Sequence, residues 1–277
     1  MRKSTCLMLL IITFIAACKS NTKHGNVDSV AVGSINSSSQ VLISQFKPFI
    51  QGVWVKSDYI EKILATKSPL AAQDLASGLT TFNIQTDSIK GDSVKVAAGW
   101  NNHEGSELTL KFQQGKTEQT ILLGDFDLGY SIKNGDTTLV LYGYDKDKNE
   151  HTTTRYTKAL NKQNGLSDGM DFLINRGLIA GNYTLNNIPG NRGAITFTND
   201  GKVTGLADFK TYALNTDFVA GPENNLDEIL FNLYSKAQKS FTFKINKDTL
   251  NIFDTRESAD SINLIVDKLE YKLIKQK

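Results

Sequence analysis

The chain has 277 residues, more than one average domain needs, and suits two. Hydrophobic residues make up 40% and charged residues 22%, an ordinary globular mixture. The formal charge is +2 with no basic block, which argues against nucleic-acid binding, and the only cysteines, Cys6 and Cys18, lie near the N-terminus, so the folded part has no disulfide or cysteine-ligated metal.

Arg2 and Lys3 precede an apolar run from Leu7 to Ala17. That run has the length of a secretory core and is short for a membrane span. It ends in Ile15-Ala16-Ala17-Cys18. This tetrapeptide resembles the lipobox of bacterial lipoproteins: an aliphatic residue, two small residues, then cysteine. The resemblance implies a signal peptide over 1–17, cleavage between Ala17 and Cys18, and acyl chains, palmitate among them, on Cys18 as a membrane anchor. Two or more chains hold stably where one holds marginally. An ordinary signal peptide with an incidental cysteine is the alternative.

Residues 18–45 read as the lipidated cysteine and a flexible tether, because Ser20–Gln40 is rich in Ser, Asn and Gly. Lys19 and Ser20 are not the aspartate that retains lipoproteins in the inner membrane of enteric bacteria. An acidic surface-export run of the Bacteroidota kind is also missing. These features point to an outer-membrane location facing the periplasm.

Two stretches then repeat a pattern. Phe49-Ile50-Gln51-Gly52-Val53-Trp54 and Leu178-Ile179-Ala180-Gly181-Asn182-Tyr183 both read apolar, apolar, x, Gly, x, aromatic. Each is followed by strand-like runs, a hairpin at Asn134-Gly135 or Lys247-Asp248, and a closing strand with Tyr156 or Tyr271. We expect two units, 46–162 and 172–277. In the first, strands are expected at 50–56, 79–86, 92–98, 107–113, 118–123, 126–133, 137–144 and 152–160. Between the first two of these, Ser57, Ser68, Pro69 and Gly78 signal one or two short helices. In the second unit, strands are expected at 179–185, 194–198, 202–207, 211–216, 228–234, 240–245, 249–254 and 262–274. Phe241, Phe243 and Ile245 alternate with Thr242 and Lys244, the mark of one buried face. Eight strands joined by short turns predict an all-β chain of two consecutive up-and-down antiparallel barrels.

Gly52-Val53-Trp54 resembles the Gly-x-Trp of lipocalins. The resemblance implies lipocalin-like barrels in which an arginine on the last strand packs over the tryptophan, and Arg155 is the matching candidate. In the second unit Tyr183 replaces the tryptophan and Glu270 falls where the arginine would be, with Lys268 or Lys272 as substitutes.

For chemistry the sequence offers little. His24 lies in the tether, and His103 and His151 lie in expected loops, which argues against a nucleophilic triad or a zinc site. Asp145–Glu150 alternates oxygen ligands but lacks the later glycine and glutamate of a calcium loop, so a hairpin tip is the simpler reading. Asp125 and Asp127 fit a tight turn. The chain therefore reads as non-catalytic, without metal or cofactor. Asp-Ser/Thr before a small, aliphatic or Thr residue recurs, placing Ser29, Ser88, Ser93, Thr137, Thr249 and Ser261 in a pattern that resembles the O-glycosylation acceptor of Bacteroidota. A hairpin exit into a strand gives the same pattern. Trp54, Trp100, Tyr130, Tyr142, Tyr183, Phe197, Tyr212, Phe231 and Phe243 are expected to line the barrels, as core or around one small apolar ligand. The expectation for function is a membrane-anchored envelope lipoprotein that binds such a ligand, or an interaction or glycan-uptake accessory module using loops such as Gly221–Asp227.

Overall fold

A computed structural model describes residues 37–146, 148–161, 165, 167–186, 194–218 and 225–276. The segment expected to be a signal peptide, with Ala17, Cys18, His24, Ser29 and most of the Gly221–Asp227 loop, lies outside the described residues.

The chain enters through α1 (Ser37–Ile50), then β1 (Gly52–Lys56), α2 (Ser57–Thr66) and a 3-10 turn at Leu70–Leu75. The strands β2 (Leu79–Ile84), β3 (Ser93–Trp100), β4 (Glu104–Gln114), β5 (Ile121–Leu123), β6 (Phe126–Lys133), β7 (Asp136–Asp145) and β8 (Glu150–Leu160) follow. Each strand pairs with the next, and β1 pairs with β8, so the first sheet is a closed antiparallel barrel. Helix α3 (Asp168–Leu178) leads into β9 (Gly181–Leu185), β10 (Ala194–Phe197), β11 (Val203–Thr204), β12 (Tyr212–Leu214), β13 (Glu228–Phe231), β14 (Lys239–Asn246), β15 (Thr249–Glu257) and β16 (Leu264–Lys275). These form an eight-stranded antiparallel sheet in the order β11-β10-β9-β16-β15-β14-β13-β12. Its two ends meet at a bridge between Lys202 and Thr211, where Val203 N–H donates to Lys210 O at 2.9 Å and Tyr212 N–H donates to Gly201 O at 2.8 Å. The chain is thus two consecutive lipocalin-like up-and-down barrels, with short helical segments after the first strand as expected.

The helices before each barrel were not anticipated. Leu42, Phe46 and Ile50 recur every fourth residue, so one face of α1 is apolar. Phe46 and Ile50 are fully buried in the first core, and Phe46 and Phe49 pack on Tyr130 at ring distances of 5.2 and 4.8 Å. Residues 37–45, expected to belong to a flexible tether, are helical and packed instead. Helix α3 plays the corresponding part for the second barrel, with Met170, Leu173, Ile174 and Leu178 in its core.

The repeated Gly-x-aromatic sequence works the same way twice. Trp54 Nε1–H donates to Ile50 O at 2.8 Å, and the Tyr183 hydroxyl donates to Ile179 O at 2.6 Å. In both places an inward aromatic donor satisfies a carbonyl at the end of a helix, one of the groups a helix leaves without an internal partner. The intervening glycines, Gly52 (φ +121°) and Gly181 (φ +148°), take a conformation that side chains rarely adopt.

Both barrels are filled. Trp54, Phe82, Phe112, Leu110, Leu128 and Tyr156 occupy the first. In the second, Phe209 stacks on Phe231 at 4.2 Å, and Phe241, Tyr271 and Phe197 extend the cluster. The second core also draws on the first unit: Val55, Tyr59, Ile60, Ile63 and Ala72, from β1, α2 and the 3-10 turn, belong to it. The two barrels are therefore joined through shared core. Among the described residues no helix is long and apolar enough to cross a membrane.

Candidate functional site

The barrel-end aromatic pair differs from the expectation in its basic partner. Lys158, not Arg155, lies over Trp54, with Nζ 5.3 Å from the ring centroid. Arg155 neighbours the inward Tyr156 on β8, so alternation turns it outward, and it is exposed. In the second barrel Lys275 takes the role, with Nζ 5.8 Å from the Tyr183 ring, rather than Lys268, which pairs with Glu270 at 2.8 Å, or Lys272. The shared signal is a buried residue, any residue, then lysine: Tyr156-Thr157-Lys158 and Leu273-Ile274-Lys275. Burial lowers the pKa of Lys158, and the Tyr183 hydroxyl is pushed well above its ordinary value by the same cause. The lysines close the barrel ends over aromatic faces, a packing role.

Of the other aromatics, Tyr183, Phe197, Tyr212, Phe231 and Phe243 are buried in the second core. Trp100 and Tyr130 sit at the edge of the first core, where Trp100 Nε1–H donates to Ser106 Oγ at 2.7 Å. Tyr142 departs from the expectation: Leu139 and Leu141 point into the core, so Tyr142 stands on the outer face of β7.

The strongest candidate site that remains is a cleft of about 560 Å³ between α3 and the rim of the second barrel. Helix α3 contributes Asp168, Asp171, Phe172 and Asn175, and the β10–β11 turn contributes Asn199 and Asp200. Asn175 Nδ2–H donates to Asn199 O at 3.3 Å, and the Tyr212 hydroxyl donates to Thr198 O at 2.7 Å, so the walls are fixed to one another. Asp200 pairs with Lys202 at 2.7 Å, which holds its carboxyl below the usual range. Asp171 behaves oppositely: burial, then the charge of Asp168, pushes it up to about 6. A carboxyl poised near neutrality can accept or donate a hydrogen bond. Sequence reasoning missed it, since a lone Asp in an unanticipated helix carries no signal.

A second groove, about 770 Å³, runs over the outer face of β2, β3 and β4, crossed by a Lys95–Glu107 ion pair at 2.9 Å. Ser88 and Ser93 line it. These two, with Thr137, Thr249 and Ser261, are exposed or half-buried, and each stands in or just after a turn.

The remaining candidates have structural surroundings. Asp125 lies in the β5–β6 turn, whereas Asp127 is a buried residue of β6 whose Oδ2 accepts the Thr117 N–H at 2.6 Å and so holds the β4–β5 turn instead. Asp145 caps the β7–β8 tip through Lys148 N–H at 3.1 Å, and Asp147 lies outside the described residues. His103 lies 3.2 Å from Glu104 and 3.7 Å from Asp217. His151 packs on Tyr144. Asp227, from the expected interaction loop, accepts the Leu70 N–H at 2.8 Å. Among the described residues no group of three His, Cys, Asp or Glu side chains could hold a metal ion. No protein-family model, curated protein or solved structure matches this chain.

Proposed function

We propose that the chain is a non-catalytic envelope lipoprotein, held by acyl chains on Cys18 at the outer membrane and facing the periplasm, whose two-barrel body acts as a protein-interaction module of an envelope complex. The Ile15-Ala16-Ala17-Cys18 sequence supports the anchor. The interaction reading rests on the filling of both barrels: Trp54, Phe82 and Phe112 in one, and the Phe209–Phe231 stack in the other, occupy the space an apolar ligand would use. Exposed apolar side chains at the turns and hairpin tips, Tyr144, Tyr234 and Ile262 among them, offer contact points. O-glycosylation of Ser29 and the other Asp-Ser/Thr positions belongs to the same proposal.

The test has two arms. Full-length protein expressed in a host with lipoprotein signal peptidase should partition into detergent, accumulate as precursor with globomycin, and move to the aqueous phase as Cys18→Ser. Aqueous partition of the wild type refutes the anchor. In the second arm, crosslinking in the native envelope should give a defined protein adduct. A small apolar molecule retained in native mass spectrometry would instead restore the ligand-carrier reading.

A further inference from the structure

The groove over the outer face of β2, β3 and β4 has a polar floor. Phe82 and Ile84 point into the first core, so Asn83 between them points outward, and it lines the groove. Asn83 is nevertheless only 7% exposed, and its Oδ1 is buried with no hydrogen-bond partner. Its cross-strand neighbours cannot supply one, because Val53 on β1 and Ala97 on β3 carry no polar side-chain atom. A buried carbonyl oxygen without a donor is costly, and most such groups in folded proteins are paired. A donor entering from the groove would pair it.

The surroundings of Asn83 are fixed in place. The 3-10 turn Thr86–Ser88 beside it is pinned by Gln51, whose Oε1 accepts the Thr86 N–H at 2.6 Å and the Thr86 hydroxyl at 2.8 Å. Lys90 and Ser93 close the loop through paired backbone bonds. Lys95 on β3 and Glu107 on β4 cross the groove as an ion pair.

The lining narrows the class of ligand. Asp87, Lys90, Lys95 and Glu107 balance in charge, so an ionic ligand gains no net attraction. Each of β2, β3 and β4 is paired on both sides, so a peptide strand finds no free edge. Val94 belongs to the first core and Ala97 is small, so apolar peptide side chains find no pocket. The groove presents instead the amides of Asn83 and Gln85, the hydroxyls of Ser88 and Ser93, and the crossing ion pair. Sugar hydroxyls, each able to donate and accept, match that set.

We propose that this groove binds a neutral saccharide, with the Asn83 amide on its floor accepting from one sugar hydroxyl and donating to the next. Lys95 and Glu107 hold further hydroxyls above it. The site needs neither the lipid anchor nor a protein partner, so its test is separate from theirs.

Calorimetric titration of the full chain in detergent, with neutral trisaccharides of glucose, galactose, mannose and N-acetylglucosamine as probes, tests this. At least one should bind saturably at millimolar concentration and shift the side-chain amide resonances of Asn83. Asn83→Leu, which keeps the shape and removes the amide, should weaken that binding about tenfold. The same variant should unfold at no lower urea concentration than the wild type, because it deletes an orphaned carbonyl. Glu107→Gln, at an exposed position, should weaken binding and leave unfolding unchanged. The proposal is overturned if none of the sugars binds saturably, if Asn83→Leu binds them as the wild type does, or if Asn83→Leu unfolds earlier. A neutral Gly-Ser peptide that binds where the sugars do not also overturns it and gives the groove to a protein segment.

Discussion

Gly52 and Gly181 occupy the same place in the repeated sequence, yet the structure predicts different costs for the same substitution. Alanine at either position is strained, because both residues hold φ well into the positive range. Such strain amounts to ~2 kcal/mol. The surroundings then differ. A Cβ at Gly52 would clash with the backbone carbonyl of Leu160, which is fixed in the β1–β8 closure of the barrel. At Gly181 it would meet the far end of the Lys275 side chain, which can swing away into solvent. Overpacking against fixed atoms adds ~2 kcal/mol, so Gly52→Ala should lose about twice as much stability as Gly181→Ala. Urea unfolding followed by far-ultraviolet circular dichroism is the suitable assay, because Trp54 and Trp100 both report on the first barrel alone. With a slope of about 2 kcal/mol/M, the Gly52→Ala midpoint should lie roughly 1 M below that of Gly181→Ala. Equal midpoints, or the reverse order, would refute the argument that the neighbouring carbonyl rather than the backbone angle sets the difference.

Two further outcomes follow from the packing and the charges. The folded-state value of Asp171 is raised, so the folded protein takes up its proton before the unfolded chain does, and stability rises as pH falls from 8 through 6 towards 4. The gap between 3.8 and about 6 corresponds to about 3 kcal/mol at alkaline pH. Asp171→Asn should thus gain up to that amount in urea unfolding at pH 8 and little at pH 4; an unchanged pH 8 value would refute it. A fragment of residues 167–277, which keeps α3 whole, lacks Val55, Tyr59, Ile60, Ile63 and Ala72 from its core. It should bind an apolar dye and melt without cooperativity, whereas 37–277 should do neither. A dye-free, cooperatively melting fragment would show that the second barrel is self-sufficient.

All sixteen strands were legible in the sequence, because inward and outward residues alternate and Gly or Asn marks the turns. The exact ends of short strands such as Val203–Thr204 were not, since two residues carry no period. Helix α3 was hidden by the feature that makes it useful: Gly169 and Gly177 lower helix propensity but allow the close approach to Val53 and Leu64. Helix α1 was masked by its serine-rich start. Arg155 matches the arginine of the lipocalin resemblance by residue type, but the strand register that decides the pairing cannot be read from the sequence. The register slips by one residue between Val53 and Trp54, which brings Lys158 opposite the tryptophan, while the odd spacing from Tyr156 sends Arg155 outward. The Asp171 cleft depends on elements distant in sequence, α3, the β10–β11 turn and β12, and such a gathering has no local signature.

The seat for α3 on the first barrel is made by Val53 and Val55, outward residues of β1. Counting from the paired glycines, the second barrel has Asn182 and Thr184 in those places. Both are already engaged: Asn182 Oδ1 accepts from Thr196 and Thr184 Oγ1 from Gln276. A helix from another copy finds hydrated amide and hydroxyl there instead of methyl groups. Two valines in the first barrel against two polar residues in the second mean that the apolar seat for a helix such as α3 is built once and not repeated.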